Sequence, residues 1–387
     1  MASPTPRAAS VRTPYRHFHR IAWLAVALAL GVIVFGAFVR LSNAGLSCPD
    51  WPTCYGRAAW PTHASQAVDH AATAIRAVEP HKAWREQLHR HLAATLGGLV
   101  FLLALLAARR RRFGIAQVLA AGLLVGASIP LYMRADYTTA AVLAVAGELI
   151  LLAAAIRWSN MDLSRISALT LMVIVFQALL GMWTVTWLLK PIVVMGHLLG
   201  GLTIFAMLLW MAWRATDLPI RLADARRLKR LVIAAIVLLG LQIALGGWVS
   251  SNYAALACGN DFPTCVGRWW PPANFQEGFV LWRGIGVDYE GGILDGASRI
   301  AIQMAHRIMA VVVFVYLMWL ALRFLRMPGM RGWGTVLAVL TLAQVALGIA
   351  NVHLGLPLHV AVAHNAGAAL LLAALVTLLA RFREPKV

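Results

Sequence analysis

The sequence predicts an all-α polytopic membrane protein with about ten transmembrane helices, built as two pseudo-symmetric four-helix bundles plus one inserted helical hairpin. Three observations support this fold class: the hydropathy of the chain, the length of its apolar runs and an internal repeat. The 387 residues are 61% hydrophobic and only 13% charged, with a mean hydropathy of +0.74. Apolar runs of about 20 residues recur along the chain, and an α-helix needs this length to cross a bilayer.

The distribution of basic residues separates a membrane protein from a nucleic-acid-binding protein. The formal net charge is +19, which taken alone would suit a nucleic-acid partner. However, most Lys and Arg residues lie in short segments between apolar runs, as the positive-inside rule requires. We therefore expect no nucleic-acid binding and predict a multi-pass protein of the inner (plasma) membrane, with the lipid bilayer around it and both termini in the cytoplasm.

The apolar runs locate the helices. They cover about 21–39, 87–108, 114–132, 138–156, 166–188, 192–213, 231–249, 300–322, 333–352 and 360–380. The first run is of full spanning length and its pattern returns in mid-chain, so we interpret it as a helix rather than a cleaved signal peptide. The predicted organisation is a cytoplasmic tail (1–20), an N-terminal bundle (21–213), a cytoplasmic linker (214–230), a C-terminal bundle (231–380) and a second cytoplasmic tail (381–387).

The two halves repeat each other. The matching features are Cys48–Cys54 with Cys258–Cys265, His89-Arg90 with His306-Arg307, and Gln177 and Gly181 with Gln344 and Gly348. The spacing of the histidines differs between the halves, since 108 residues separate His89 from His197 but only 58 separate His306 from His364. The 50 additional residues fit one inserted helical hairpin, which we place at about 114–156.

The hairpin carries Glu148 inside an apolar run. A charged group costs free energy in lipid, so Glu148 is a candidate functional residue. Packing between helices is an equally good interpretation of this carboxylate.

Four intramembrane histidines at repeat-equivalent positions indicate ligands rather than packing. His89, His197, His306 and His364 each lie near the predicted outer end of a helix. Zinc favours a closed tetrahedral site or three ligands plus water. Two histidines in each four-helix unit instead suit haem, whose iron takes axial ligands from opposite faces.

Glycines and arginines near the histidines also have expected roles, which follow from their positions on the helices. We expect Gly200, Gly201 and Gly367 to leave space for a flat macrocycle, because they lie three or four residues after a histidine. Arg90 and Arg307 are candidates for contacts with haem propionates, and anchoring of helix ends is the alternative role.

All four cysteines lie in the two long outer loops, two in each. An oxidising outer location favours the disulfides Cys48–Cys54 and Cys258–Cys265 over zinc sites or free thiols. These disulfides would brace a loop over each haem site, and a redox role for the first pair is the alternative.

Several motifs together resemble the haem A synthase family over nearly the whole chain. They are Arg40-Leu41, Gly45-Leu46-Ser47-Cys48-Pro49-Asp50-Trp51-Pro52, Cys54-Tyr55-Gly56, Glu86-Gln87-Leu88-His89-Arg90, His197-Leu198-Leu199-Gly200-Gly201, His306-Arg307 and His364. The resemblance implies oxidation of the methyl group at ring position 8 of haem O to the formyl group of haem A. It also implies two four-helix bundles, so the hairpin is a departure from the family pattern.

The resemblance implies different roles for the two histidine pairs. His89 and His197 would hold the substrate haem, and His306 and His364 would hold a resident haem b. We also expect further partners: haem O synthase, cytochrome oxidase during its assembly, and a second copy of the chain.

Glu86 distinguishes the halves, because Gln303 occupies the matching position. Glu86 lies one helical turn before His89, so we expect it to act on the substrate as a base or to stabilise a developing cation. Since the repeat already holds glutamine at this point, we also expect Glu86→Gln to leave folding and haem content nearly normal. Two rival functions remain: a dihaem protein that transfers electrons from quinol, and a haem chaperone or transporter.

Overall fold

The computed structural model describes residues 16–385, which contain ten helices long and apolar enough to cross a membrane. The long helices are α1 (Phe18–Leu41), α3 (Pro80–Ala108), α4 (Gly114–Met133), α5 (Tyr137–Arg157), α6 (Ser164–Thr186), α7 (Pro191–Thr216), α8 (Ala225–Ser251), α10 (Gly296–Leu325), α11 (Arg331–His353) and α12 (Leu358–Arg381). The shorter elements are α2 (His70–Ile75), α9 (Phe275–Gly278), two 3₁₀ turns (Ala64–Gln66 and Asn160–Asp162) and the strands β1 (Ile220–Arg221) and β2 (Phe382–Arg383). The predicted all-α polytopic fold is confirmed.

Several helices extend beyond the apolar runs that predicted them. Helix α3 begins at Pro80 rather than near 87, and α10 begins at Gly296 rather than near 300. Proline is well suited to the first position of a helix, and the Asp295 side chain accepts a hydrogen bond of 2.7 Å from the Ser298 amide to cap α10. Glu86 therefore lies within the second turn of a helix, and not where a loop ends.

The two halves pack in the same way around a pseudo-two-fold axis. In the first half (α1–α7), α1 packs on α3 and α7, and α6 packs on α3 and α7. In the second half (α8–α12), α8 packs on α10 and α12, and α11 packs on α10 and α12. The halves meet where α7 contacts α12, with matching contacts of α1 with α12 and of α7 with α8.

Helices α4 and α5 form the inserted hairpin at the predicted position. The hairpin packs against the first bundle through contacts of α4 with α3 and of α5 with α6. Gly122 of α4 faces the Phe101 ring of α3 so closely that an added Cβ would lie 2.6 Å from that ring. The bare backbone at this position lets the hairpin approach the bundle.

Loop 1 (residues 42–79) and loop 2 (residues 252–295) share one local structure. Cys48 bonds to Cys54, with Cα atoms 4.7 Å apart, and Cys258 bonds to Cys265, with Cα atoms 4.6 Å apart. Each disulfide is followed by a similar turn and a short bridge, between Cys54 and Arg57 in loop 1 and between Cys265 and Arg268 in loop 2. The predicted pairings and the repeat are confirmed.

Loop 2 also crosses onto the first half. The guanidinium of Arg76 in loop 1 pairs with Asp288 at 2.5 Å and with Glu290 at 2.7 Å. Between these two carboxylates, the backbone amide of the buried Tyr289 donates to the carbonyl of Leu188 at 3.1 Å. Loop 2 therefore covers the end of the first bundle as well as its own.

The segments at the opposite end of the bundles are shorter than predicted. Helix α7 continues to Thr216 and α8 begins at Ala225, so the linker covers 217–224 rather than 214–230. Its strand β1 pairs in parallel with β2, which follows α12 in the predicted tail 381–387. Residues 1–15 of the predicted N-terminal tail, and residues 386–387, lie outside the described residues.

The loop structure generates a prediction about the cysteines. Trypsin should release each pair within one peptide, 41–57 or 231–268, because no Lys or Arg separates the partners. Without reduction, each peptide should have a mass lower by two hydrogens than after reduction. Free thiols in both peptides, or a peptide cross-linked between the loops, would contradict the two pairings.

Replacing Cys48 and Cys54 together by alanine should lower the free energy of unfolding by about 2 kcal/mol, because the closed loop is short.

Candidate functional site

One large cavity of about 1920 Å³ lies between the helices of both halves. Pockets for a single small ligand reach roughly 1,000 Å³, so this cavity has room for more than one such ligand. It is lined by all four histidines that the sequence singled out, and by Glu86 and Gln303. Sequence reasoning therefore identified residues that the fold brings to a common space.

Each of the four imidazoles lies against the backbone of a glycine on a neighbouring helix. The closest ring atom is Cε1 in every case, so the four rings share one orientation relative to their glycines. A Cβ placed on the glycine would lie 2.7 Å (Gly36 to His89), 3.0 Å (Gly181 to His197), 3.2 Å (Gly246 to His306) or 3.1 Å (Gly348 to His364) from this atom. Any side chain at these glycines would displace the ring from its position.

The imidazoles keep ring nitrogens free. The Nδ1 atoms of His89, His197 and His364 are buried without a hydrogen-bond partner. A buried polar atom with no partner costs free energy, unless a ligand or a water completes it. Paired imidazoles that face a large apolar cavity with unsatisfied nitrogens fit the axial ligands of haem iron. Within residues 16–385, no group of three or more His, Cys, Asp or Glu side chains is placed to hold a metal ion.

Glutamine side chains fix the backbone of three histidines. In each case the side-chain Nε2 atom of the glutamine donates to the backbone carbonyl of the histidine. The pairs are Gln177 with His197 at 2.6 Å, Gln242 with His306 at 3.2 Å and Gln344 with His364 at 3.0 Å. The sequence showed the matched glutamines in α6 and α11 but gave no reason for them. It missed Gln242, although Gln242 also precedes a glycine by four residues.

These glutamines correct one expectation about the glycines. An added Cβ at Gly200 would lie 2.1 Å from Oε1 of Gln177, and one at Gly367 would lie 2.2 Å from Oε1 of Gln344. Gly200 and Gly367 therefore leave space for the amides rather than for a macrocycle. Gly201 does line the cavity.

The Glu86 carboxylate is buried, with 5% of the residue exposed, and all its partners are in place. One oxygen accepts from the Ser47 amide at 2.7 Å, the Cys48 amide at 2.8 Å and the Ser47 hydroxyl at 3.1 Å. The other oxygen accepts from Arg90 at 2.5 Å. Glu86 thus joins the first disulfide to the helix that carries His89.

Gln303 is not equivalent to Glu86 in its contacts. It is equally buried, but its Oε1 has no hydrogen-bond partner. The repeat therefore offers no example of glutamine accepting from a loop at this position. The expectation that Glu86→Gln leaves folding unaffected loses its basis, because the amides of loop 1 depend on the carboxylate.

Arg90 and Arg307 bind the disulfide loops and also line the cavity, so their expected contact with haem propionates stays a prediction. Both guanidinium groups donate to backbone carbonyls of the disulfide loop of their own half. The acceptors are Cys48, Asp50 and Thr53 for Arg90, at 2.7 to 2.8 Å, and Asp261 and Thr264 for Arg307, at 2.9 Å. Each arginine follows a cavity histidine directly, so it fixes the loop above that histidine.

Tyr55 of loop 1 is a buried hydroxyl close to this network. Burial, together with the carboxylates of Glu86 and Asp50, raises the pKa of Tyr55 to about 12. The hydroxyl donates to the Ala77 carbonyl at 3.1 Å. The Tyr55 hydroxyl therefore stays protonated at ordinary pH and holds the backbone of loop 1.

The inserted hairpin forms part of the cavity wall, which sequence reasoning did not predict. Tyr132 and Tyr137 line the cavity, and the Tyr132 ring meets Trp51 of loop 1 edge to face at 5.9 Å. Glu148 lies on the same hairpin but does not line the cavity, and its Oε1 is buried without a partner. The structure does not bring Glu148 together with the other candidate residues.

The comparison with known proteins agrees with these features. The family model described as cytochrome oxidase assembly protein matches residues 19–129 and 136–376. A protein of Shewanella oneidensis named haem A synthase is 36% identical over 366 residues, which cover 93% of this chain and 96% of the relative. A haem A synthase of Caulobacter vibrioides is 26% identical over 94% of this chain and 96% of its own length.

A shorter match involves only part of the chain. A haem A synthase of Rhizorhabdus wittichii is 36% identical over 195 residues, or 49% of this chain and 52% of the relative. The family model covers most of the sequence, and the Shewanella relative matches along almost its full length. The chain therefore belongs to the haem A synthase family.

Proposed function

We propose that the protein oxidises the methyl group at ring position 8 of haem O to the formyl group of haem A. The observation that carries the proposal is the set of four glycine-backed imidazoles at the wall of one cavity. Their pairing within each half supports two bis-histidine haem sites. The names of the full-length relatives support the reaction class.

The two sites would have different roles. His89 and His197 would hold the substrate haem, and His306 and His364 would hold a resident haem b. Conversion of a methyl to a formyl group replaces two hydrogen atoms by one oxygen atom and is a four-electron oxidation. With water as the oxygen source, four protons would be released and four electrons would leave through the haems to an external electron acceptor. The bound haems would supply the redox chemistry. The two sites share one cavity, which supports electron transfer between them.

Glu86 would act from the cavity wall beside His89. One oxygen accepts from Ser47 and Cys48 and the other from Arg90, so protonation of the carboxylate would remove the charge that these donors stabilise. This contact set favours a role in holding loop 1 and in stabilising positive charge on the substrate over a role as a free base.

The topology belongs to the same proposal. Both termini would lie in the cytoplasm, and loops 1 and 2 would lie on the outer side of the inner membrane. The disulfides of the two loops support this orientation, because disulfides persist in oxidising compartments.

The second-half site can be tested by its spectrum. His306→Ala and His364→Ala should each remove the low-spin haem b signal of the purified protein, because iron loses one axial ligand. His359→Ala is the matched control, since this exposed histidine lies on the same helix as His364 but does not line the cavity. A complete low-spin signal in both cavity variants would exclude these ligands, and loss in the control would show a general effect on folding.

The function itself can be tested in cells that make haem O. Chromatography of extracted haems should detect haem A, and Glu86→Gln should lower its formation by less than the two to four orders of magnitude expected for loss of a general base, because the contacts of Glu86 favour electrostatic stabilisation. The variant should also become more sensitive to protease in loop 1, because the ion pair with Arg90 is lost. Glu79→Gln is the matched control, since it makes the same chemical change at a half-exposed carboxylate that does not line the cavity, and it should keep haem A formation. Normal haem A formation by Glu86→Gln would remove Glu86 from the reaction, and unchanged haem O with the wild-type protein would refute the proposed function.

A further inference from the structure

The inserted hairpin gives the first half a second ring of helices. Helix α4 contacts α3 and α5, α5 contacts α6, and α6 contacts α3, so these four helices close a ring beside the bundle. The ring shares α3 and α6 with the bundle that carries His89 and His197. Within residues 225–385 the second half has no matching hairpin, because α11 follows α10 directly. The hairpin side of the cavity is therefore a feature of the first half.

Helices α3 and α4 touch at one level and leave a gap at the next. They touch where the Phe101 ring lies against Gly122. The two helices are antiparallel, so Gly97 and Gly126, each four residues from this contact, lie at the same level, about 6 Å closer to loop 1. Both glycines line the cavity, and an added Cβ at either would meet no neighbouring atom within 4 Å. We call the gap between Gly97 and Gly126 the α3–α4 cleft.

The cleft is closed at both ends but open at its side. One end is the contact of Phe101 with Gly122, and the other is the contact of Trp51 in loop 1 with Tyr132 at 5.9 Å. Ten residues of helix separate Gly122 from Tyr132, which corresponds to about 15 Å. Gly126 lines the cavity and is also exposed, so the cavity reaches the surface of the protein between these two helices.

The internal repeat fills the matching place with an aromatic ring. Gly97 follows His89 by eight residues, and the residue that follows His306 by eight is Phe314. Phe314 lines the cavity, as Gly97 does. The second half therefore has a bulky side chain, and no hairpin, where the first half has the cleft.

The cleft is continuous with a place that lacks a ligand. His89 and His197 line the same cavity, and their buried Nδ1 atoms have no hydrogen-bond partner. Haem O, the proposed ligand of this pair, differs from haem b because a long isoprenoid (hydroxyethylfarnesyl) chain replaces one vinyl group. Val125 and Ile129 add apolar side chains to the wall beside the two glycines, which suits a hydrocarbon chain. The length of the cleft is of the same order as that of an extended farnesyl chain.

We propose that the α3–α4 cleft holds the isoprenoid chain of the substrate haem and thereby distinguishes haem O from haem b at the first-half site. This inference rests on the proposed function. It makes Gly97 and Gly126 specificity-determining residues, because their bare backbones leave room for the chain. It also gives the inserted hairpin a role, since α4 forms one wall of the cleft.

Binding of two haems that differ in this chain tests the inference without turnover. Protein that holds its resident haem would be titrated in one detergent with ferric haem O or with haemin (ferric haem b), and the low-spin absorbance would give each Kd. Gly97→Phe installs the residue that the second half has at this place. It should raise the Kd for haem O by about tenfold or more, because the ring takes the space of the chain. The Kd for haemin should stay unchanged, since Gly97 lies about 12 Å along the helix from His89.

The neighbouring glycine provides the matched control. Gly98 has equally open surroundings but does not line the cavity, so Gly98→Phe should keep both Kd values. Gly126→Phe blocks the cleft from the opposite helix and should weaken haem O binding in the same way as Gly97→Phe. This arm remains informative if Gly97→Phe does not fold.

The outcomes separate this inference from the proposed function. If the wild type binds haem O and both cleft variants bind it equally well, the chain lies elsewhere, membrane lipid fills the cleft, and the inference is wrong. It is also wrong if the variants lose haem O and haemin to the same extent, because the rings then obstruct the macrocycle. A wild-type protein that binds no haem O beside its resident haem would refute both. Selective loss of haem O in the variants, with no conversion in cells, would support the cleft and refute the oxidation.

Discussion

The contact between an imidazole edge and a bare glycine backbone is the constraint on which the site depends. Inside a membrane, helices gain little from excluding water, so close packing at small residues sets their distance. Here the same small residue also fixes the ring. Gly36 and Gly246 on the first helix of each half hold His89 and His306 at the cavity wall. A polar ring at this depth would be costly unless the cavity provided its partner.

Contacts between the disulfide loops and the histidine helices also shape the site, and they differ between the halves. In both halves the arginine after the histidine binds loop carbonyls, so the disulfide loop is fixed to the histidine's own helix. In the first half a carboxylate on the histidine's own helix, Glu86, also binds the loop amides, whereas Oε1 of the matching Gln303 has no hydrogen-bond partner. Loop 2 then reaches across to the first half, where Arg76 pairs with Asp288. The first-half end of the cavity is therefore covered by both loops and the second-half end mainly by its own.

The sequence predicted those features that depend on periodicity along the chain. Apolar length gave the ten helices, histidine spacing gave the inserted hairpin, and repeated cysteines gave the disulfides. Contacts between helices could not be predicted in this way. The amide of Gln177 fills the space beside Gly200, and nothing in the spacing after His197 reveals it. Glu86 likewise has the predicted position on its helix, but its partners come from a loop about 40 residues earlier, and helical periodicity carries no information about them.

The departures from the internal repeat are not scattered. Val32 replaces the glutamine found in the other three helices, Glu86 replaces the glutamine of the second half, and the hairpin adds Tyr132 to the cavity wall. All three lie in the first half, and Val32 and Glu86 belong to the surroundings of His89. A pure electron-transfer site has no need of these differences, because two identical halves would serve it. The residues that depart from the repeat therefore gather around one histidine pair, His89 and His197, which is the pair proposed to hold the substrate.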